Sequence, residues 1–201
     1  VSIDSRQRIL TEAERLFARR GFAGTSLSSI ATAAGLGNAG LIHHYPSKAA
    51  LYRAVLDTIA ADLDARDAAA LAAADDPVAQ LRGLVDSLLS LHRDRPTALM
   101  IIAQEFLDRS GRIDTAGVLP LAGVVRDTMR VIEAGQRDRS ARDGDPLAMT
   151  AALHGALLHG CLGRLVYQRT ATDSINPRPE DAWEHEITRA ALAGIVTTSP
   201  T

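Results

Sequence analysis

The residues best suited to chemistry in this chain lie close together. Asn38, Ala39, Gly40, His43, His44, Tyr45 and Lys48 fall within eleven positions, and Thr25 and Ser26 come shortly before them. These types suit contact with a polyanion whose edges carry hydrogen-bonding groups. An asparagine amide can pair with both polar atoms of an adenine edge, and small residues such as Ala39 and Gly40 let a backbone come close to the bases. His43 can donate to a base or a phosphate. Asparagine is also a strong helix N-cap, so Gly37-Asn38 reads equally as an ordinary helix start. Tyr45 is expected to pack inward, with its hydroxyl free to reach a phosphate.

Lys48 is the sharpest of these residues. It is the only lysine among 22 basic side chains. It falls in the first turn of a helix, where the macrodipole disfavours a cation. A phosphate sharing the site would account for it, and a solvated surface lysine is the alternative reading. Thr25 and Ser26 open a short helix, whose free N–H groups favour an anion. Simple capping by the same two residues is compatible with that role.

Short elements must hold these side chains. Ile9, Ala13, Leu16 and Phe17 recur at helical spacing and predict a first helix over Ser5–Arg20. Gly21 then supplies a left-handed stop, and Phe22 folds back onto the stripe. Ser26 caps a second helix with Leu27, Ile30, Ala31 and Ala34 inward, ended by Gly35. A third helix covers Asn38–His44, with Leu41 inward, and Pro46 breaks it. Two short helices joined by a glycine turn make a helix-turn-helix. Residues 1–53 carry seven basic groups against three acidic ones, and the remainder carries fifteen against twenty-one. A basic head on an acidic body suits a polyanionic partner.

Six more helices are expected after Pro46. They are a Ser47-capped helix carrying Leu51, Val55, Leu56, Ile59 and Leu63, then Pro77–Arg93 with Asp76 as cap, Pro96–Arg109, Leu121–Gln136, Pro146–Gln168 and Glu180–Val196. A loose tail covers Thr197–Thr201. The fold class is therefore all-α with about nine helices. Its expected domains are a DNA-binding unit over residues 1–50 and a helical body over 51–201. Apolar residues make up 46% of the chain and aromatics only 3%, so aliphatic side chains must fill the core. The single cysteine, Cys161, fits a reducing compartment. With no targeting segment and no apolar run of membrane-spanning length, the expected location is the cytoplasm, with no membrane partner.

By residue 51 the pattern becomes specific. Ile30-Ala31, Ala34-Gly35-Leu36, Leu41, His44-Tyr45, Ser47-Lys48 and Leu51 resemble the signature of the TetR family of bacterial regulators, as do Phe17 and Gly21-Phe22. The resemblance covers about residues 5–56. Gly37 stands where that family often has a capping serine, Ala39 where it has glycine, and Ile42 where it has a phosphate-touching tyrosine. Gly40 lacks a side chain that often reads a base there. The resemblance implies a repressor that binds a palindromic DNA operator as a homodimer and is released by a small-molecule effector. A body pocket for that effector would be lined by Leu84, Leu88, Leu99, Met100, Ala103, Gln104, Phe106, Val125, Met129, His154 and Leu158. Ordinary close packing of the same residues is the alternative.

A single recognition unit buries little area, so two must act together, spaced by about 34–36 Å or a multiple. Ala151, Ala152, Gly155, Ala156, Gly160 and Gly163 allow close helix approach, with Leu153, Leu157, Leu158 and Leu162 filling space. Ala190, Ala191, Ile195 and Trp183 of the last helix would add to that seam. His154, His159 and Cys161 are poorly spaced for a metal, so neither metal nor cofactor is expected. No HExxH, Walker loop, GxSxG or CxxC occurs, and Glu105 with Asp108 makes only an ordinary acidic helix face. The chain is thus expected not to be an enzyme. An all-α enzyme without a recognisable motif and a helical protein-interaction module remain the competing readings.

Overall fold

The computed structural model describes residues 3–107, 121–170 and 179–197. Among these residues there are nine helices: α1 (Ile3–Arg20), α2 (Leu27–Ala33), α3 (Asn38–His44), α4 (Lys48–Ala72), α5 (Pro77–Asp94), α6 (Pro96–Leu107), α7 (Ala122–Asp138), α8 (Pro146–Thr170) and α9 (Glu180–Ala193). The only β pairing among them is an isolated bridge between Ala141 and Val196. The all-α class expected from the sequence is the class observed. No described helix is long and apolar enough to cross a membrane.

Local signals set most boundaries. Ser26 accepts from the Ser29 N–H at 3.1 Å, and the Ser26 N–H donates to Ser29 Oγ at 3.3 Å, a reciprocal capping box. Asp76 Oδ1 accepts from the Ala79 N–H at 2.9 Å, capping α5 as Pro77 opens it. The last helix stops at Ala193, short of the expected Val196. Gly194 ends it, and Val196 is drawn into the bridge with Ala141. Thr197, expected to begin a loose tail, donates its N–H to the Ser140 carbonyl at 2.9 Å. The rest of that tail, the predicted end of α6 at 108–109 and the separator at 176–177 lie outside the described residues.

The described residues form two compact units. The first takes those up to Asp62 and those from Arg95 to Leu121; the second takes Leu63–Asp94 and those from Ala122 onward. In the first unit, Ile9, Ala13 and Phe17 of α1, Ile30 of α2, Leu41 of α3 and Leu51 and Val55 of α4 are all fully buried. Phe17, Phe22 and Tyr52 stack their edges within this core, with Tyr52 4.8 Å from Phe17 and 5.1 Å from Phe22 between ring centroids. The turn between α2 and α3 needs Gly35, whose φ is +69°. Its geometry lets the Leu36 N–H reach the Ala31 carbonyl at 2.9 Å, closing the end of α2.

In the second unit, α8 packs against both α7 and α9, and α5 against α7. Leu63, Leu81, Val85, Leu91, Ile132, Leu153 and Leu157 are its most buried aliphatic residues. Gly160 is required where α8 meets α9, because an added Cβ would lie 2.8 Å from the Ile187 side chain. Trp183 donates to the Gly160 carbonyl at 2.9 Å across the same contact.

Candidate nucleic-acid interface and effector pocket

The third helix is held by one side and offered by the other. Leu41 is fully buried beneath it, while Asn38, Ala39, Gly40, Ile42 and His43 are exposed. Asn38 does not cap this helix. The N-cap is Gly37, which has no side chain to accept a bond, and Asn38 stands at the first helical position. Its amide is therefore not engaged as the cap that its type allowed. His43 and His44 rings meet edge to face at 5.7 Å, His43 exposed and His44 half-buried. Ile42 is 49% exposed on the same face, and sequence reasoning did not place it in the site. The missed signal was its offset of one position from buried Leu41, which fixes it on the outward side.

Three of the expected contacts, Thr25, Tyr45 and Lys48, lie differently from a simple surface patch. Thr25 is buried, and its hydroxyl faces the Gly21 carbonyl at 2.9 Å and the Leu16 carbonyl at 3.3 Å. Its side chain closes the end of α1 and is not presented to solvent, which corrects the expectation of a phosphate contact. Ser26 is exposed beside it at the N-terminus of α2. Tyr45 is buried as expected, but its hydroxyl already accepts from Arg6 Nε at 3.2 Å, with the guanidinium 5.8 Å from the ring centroid. Lys48 is neither a bare surface lysine nor a free cation. Its ammonium donates to the Phe22 carbonyl at 2.9 Å and sits 4.4 Å from the Phe22 ring centroid. Two of its three N–H donors remain for another acceptor.

The second unit encloses a small cavity. Its volume is about 10 Å³, room for about one water. Leu63, Asp67, Leu84, Val85, Leu88, Val124, Thr128, Leu153, His154 and Leu157 line it. Leu84, Leu88 and His154 were expected there. Leu158 is buried and Met129 half-buried, but neither lines the cavity. Met100 and Phe106 are 41% and 49% exposed on α6, in the other unit. Gln104 donates to the Ala18 carbonyl at 2.9 Å, satisfying one of the open carbonyls at the end of α1. The reason for this correction is that α6 packs on α1, so its apolar stripe belongs to the first unit's core.

The cavity carries three polar groups among aliphatic ones. His154 Nε2 lies 3.1 Å from Thr128 Oγ1. Burial lowers the His154 pKa to about 4, which keeps the ring neutral near pH 7. Burial also raises the Asp67 carboxyl to about 6, helped by the charges of Asp127 and Asp64 and opposed by a Ser87 hydrogen bond. Asp67 Oδ1 is left without a hydrogen-bond partner. Sequence reasoning missed Asp67, although it extends the inward Ile59–Leu63 stripe by one helical turn. Cys161 is buried, and burial together with Glu184 and Glu180 pushes its thiol up to about 11. His154 and His159 stand elsewhere, the latter 3.0 Å from the Tyr167 hydroxyl.

Comparison with known proteins gives three results. Residues 9–55 match the sequence profile of the bacterial regulatory proteins of the tetR family. The HTH-type transcriptional regulator RutR of Escherichia coli K12 is 38% identical over 101 residues, covering 49% of this chain. The chain spans about half the length of the curated relatives it matches, 46% in this case. Among solved structures, a transcriptional regulator from Saccharomonospora viridis in complex with choline superposes with a TM-score of 0.70 at 25% identity, covering 98% of this chain and 100% of that one. AibR, in complex with isovaleryl coenzyme A and operator DNA, superposes with a TM-score of 0.70 at 20% identity over 92% of this chain and 97% of its own, a likeness of fold.

Proposed function

We propose that this chain, whose residues 9–55 match the tetR family of bacterial regulatory proteins, is a ligand-responsive, homodimeric repressor of a palindromic operator. The observation that carries this reading is α3: one buried anchor, Leu41, and an outward face of short residues at its N-terminal end. That shape suits a recognition helix in the major groove. Asn38 is the base-reading residue in this proposal. Ser26, His43, His44 and Lys48 set the register on the phosphates, and Ile42 offers an apolar contact to a thymine methyl.

A second copy of the chain would cover the outward face of α8. Ala148, Ala151, Ala152, Gly155 and Ala156 are exposed there, and a Cβ added at Gly155 meets nothing within 4 Å. Gly160 and the leucines at 153, 157 and 158 face inward instead, so the seam is narrower than the sequence suggested. Gly155→Glu should then yield a folded monomer in sedimentation; a dimer of unchanged strength would remove this seam.

The effector in this reading is a small aliphatic molecule with one polar head for Asp67, Thr128 and His154. The cavity is far below the roughly 300–1,000 Å³ of ordinary ligand sites. The effector must therefore select a more open conformation, and its apparent affinity falls by the population of that conformation. The regulated operator is tested by selection from random duplexes. Enrichment of a palindrome, released by a thermal-shift hit, is the expected result. Absence of any enriched sequence across a salt series would sink the reading.

A further inference from the structure

Three helices of the second unit bring together side chains that no sequence motif links. His92 of α5, Cys161 of α8 and Glu184 of α9 place an imidazole nitrogen, a thiol sulfur and a carboxylate oxygen all within 4.8 Å of one another. Two of the three carry an orphaned buried atom. Glu184 Oε1 and His92 Nδ1 have no hydrogen-bond partner. The Glu184 side chain is only 6% exposed, so water does not readily serve it. A buried polar atom left this way costs on the order of 1–3 kcal/mol.

The other atoms of the same residues are engaged in a specific way. Arg93 Nη1 donates to Glu184 Oε2 at 2.6 Å, leaving Oε1 as the open acceptor. Glu180 Oε1 lies 3.8 Å from His92 Nε2, leaving Nδ1 as the open nitrogen, and Arg164 lies 3.5 Å from the other Glu180 oxygen. A cation bonded to the far carboxylate oxygen is an outer partner of the kind that metal ligands have, and a carboxylate stands within ion-pair reach of the far ring nitrogen.

We propose that His92, Cys161 and Glu184 form a binding site for a divalent cation of the zinc class. The mixed nitrogen, sulfur and oxygen set suits Zn²⁺ and excludes Mg²⁺ and Ca²⁺, which take oxygen shells. A thiolate and a carboxylate balance the charge of the ion. Tetrahedral zinc sets its donors roughly 3.5 Å apart, so a closure of about 1 Å by the side chains completes the set. Three protein donors leave a fourth position for water or a small anion. The ion would fasten α5, α8 and α9 to one another, independently of any DNA contact.

The test uses the full chain, stripped with a chelator and titrated with Co²⁺ alone and then Zn²⁺. One ion per chain, a thiolate-to-cobalt charge-transfer band displaced by Zn²⁺, and a raised Tm are expected. Cys161→Ser removes the band, and Glu184→Gln weakens binding roughly tenfold or more. His159→Gln, outside the cluster, leaves both intact. No band in the unsubstituted chain, or equal binding by Cys161→Ser, overturns the site. A readout on the unsubstituted chain guards against a misfolded variant. Zn²⁺ should slow alkylation of Cys161 at least tenfold, and an unchanged rate overturns the proposal.

Discussion

Arg95 holds both carboxylate oxygens of Glu14, with its Nε at 3.0 and 2.9 Å, across 81 positions of sequence. The same guanidinium donates to Thr58 Oγ1 at 2.9 Å and to Asp62 at 3.3 Å, and Thr97 donates to Glu14 at 2.6 Å. This network joins the start of α6 to α1 and α4 within the first unit. Glu14 is buried and Arg95 partly so. Removing one partner strands the other charge, which is costlier than never having made the pair. Arg95→Met should cost about 2–4 kcal/mol in urea unfolding, and the Glu14→Gln/Arg95→Met pair less than the sum of the singles. Additive losses would show that the two residues do not act together.

Lys48 has an internal part to play and, in the proposed function, an external one. Its bond to the Phe22 carbonyl and its place over that ring steady the turn after α1, worth about 1 kcal/mol together. If its remaining donors meet a phosphate, Lys48→Ala weakens binding to all duplexes alike. The slope of log affinity against log salt then falls by about 1. Fluorescence anisotropy across a salt series measures both. An unchanged slope would confine Lys48 to its internal role.

Asn38 gives the opposite pattern. Because Gly37 is the cap, Asn38→Ala should leave stability within about 0.5 kcal/mol, where loss of a true cap costs about 1. The same substitution should relax discrimination at one base pair by about 1–3 kcal/mol. Thermal unfolding and binding to a panel of single-base operator variants separate the two effects. A drop in Tm with specificity intact would reverse the assignment.

Asp67 and His154 titrate in opposing senses. Asp67 has a folded pKa of about 6, above its ordinary 3.8, so the folded state holds the extra proton between those values. Its contribution to stability therefore falls as pH rises through that window. His154 has a folded pKa of about 4, below its ordinary 6.5. Here the unfolded state binds the extra proton, and stability falls as pH drops from about 6.5 toward 4. The two slopes largely cancel between about pH 4 and 6. Asp67→Asn should uncover the histidine's acid loss and stabilise the protein above pH 6. His154→Asn should uncover the reverse slope. Urea midpoints from pH 4 to 7.5 would show it, and parallel curves for all three proteins would contradict it.

What could be read from the sequence was what neighbours in sequence decide. The capping of α2 by Ser26, the stop at Gly35 and the limits of α3 at Asn38 and His44 all rest on contacts within a few residues. What could not be read was which helix faces which. The apolar stripe of α6 looked fit for a pocket, but α1 takes it, and Gln104 turns to the Ala18 carbonyl. Most of the cavity lining was missed for the same reason, since Leu63, Val124 and Leu153 meet only after α4, α7 and α8 pack. Thr25 failed in another way. Its type suits a phosphate, and only its burial shows that the hydroxyl faces inward.

The bare outer face of α3 bears on how such a protein could change its target. A side chain introduced at Gly40 would meet no neighbouring atom within 4 Å. Replacing a helical glycine by alanine favours the helix by about 0.5–1 kcal/mol. If α3 reads the operator as proposed, single substitutions at Ala39 and Gly40 would alter recognition with the scaffold untouched, and an alanine at position 40 would slightly favour the helix.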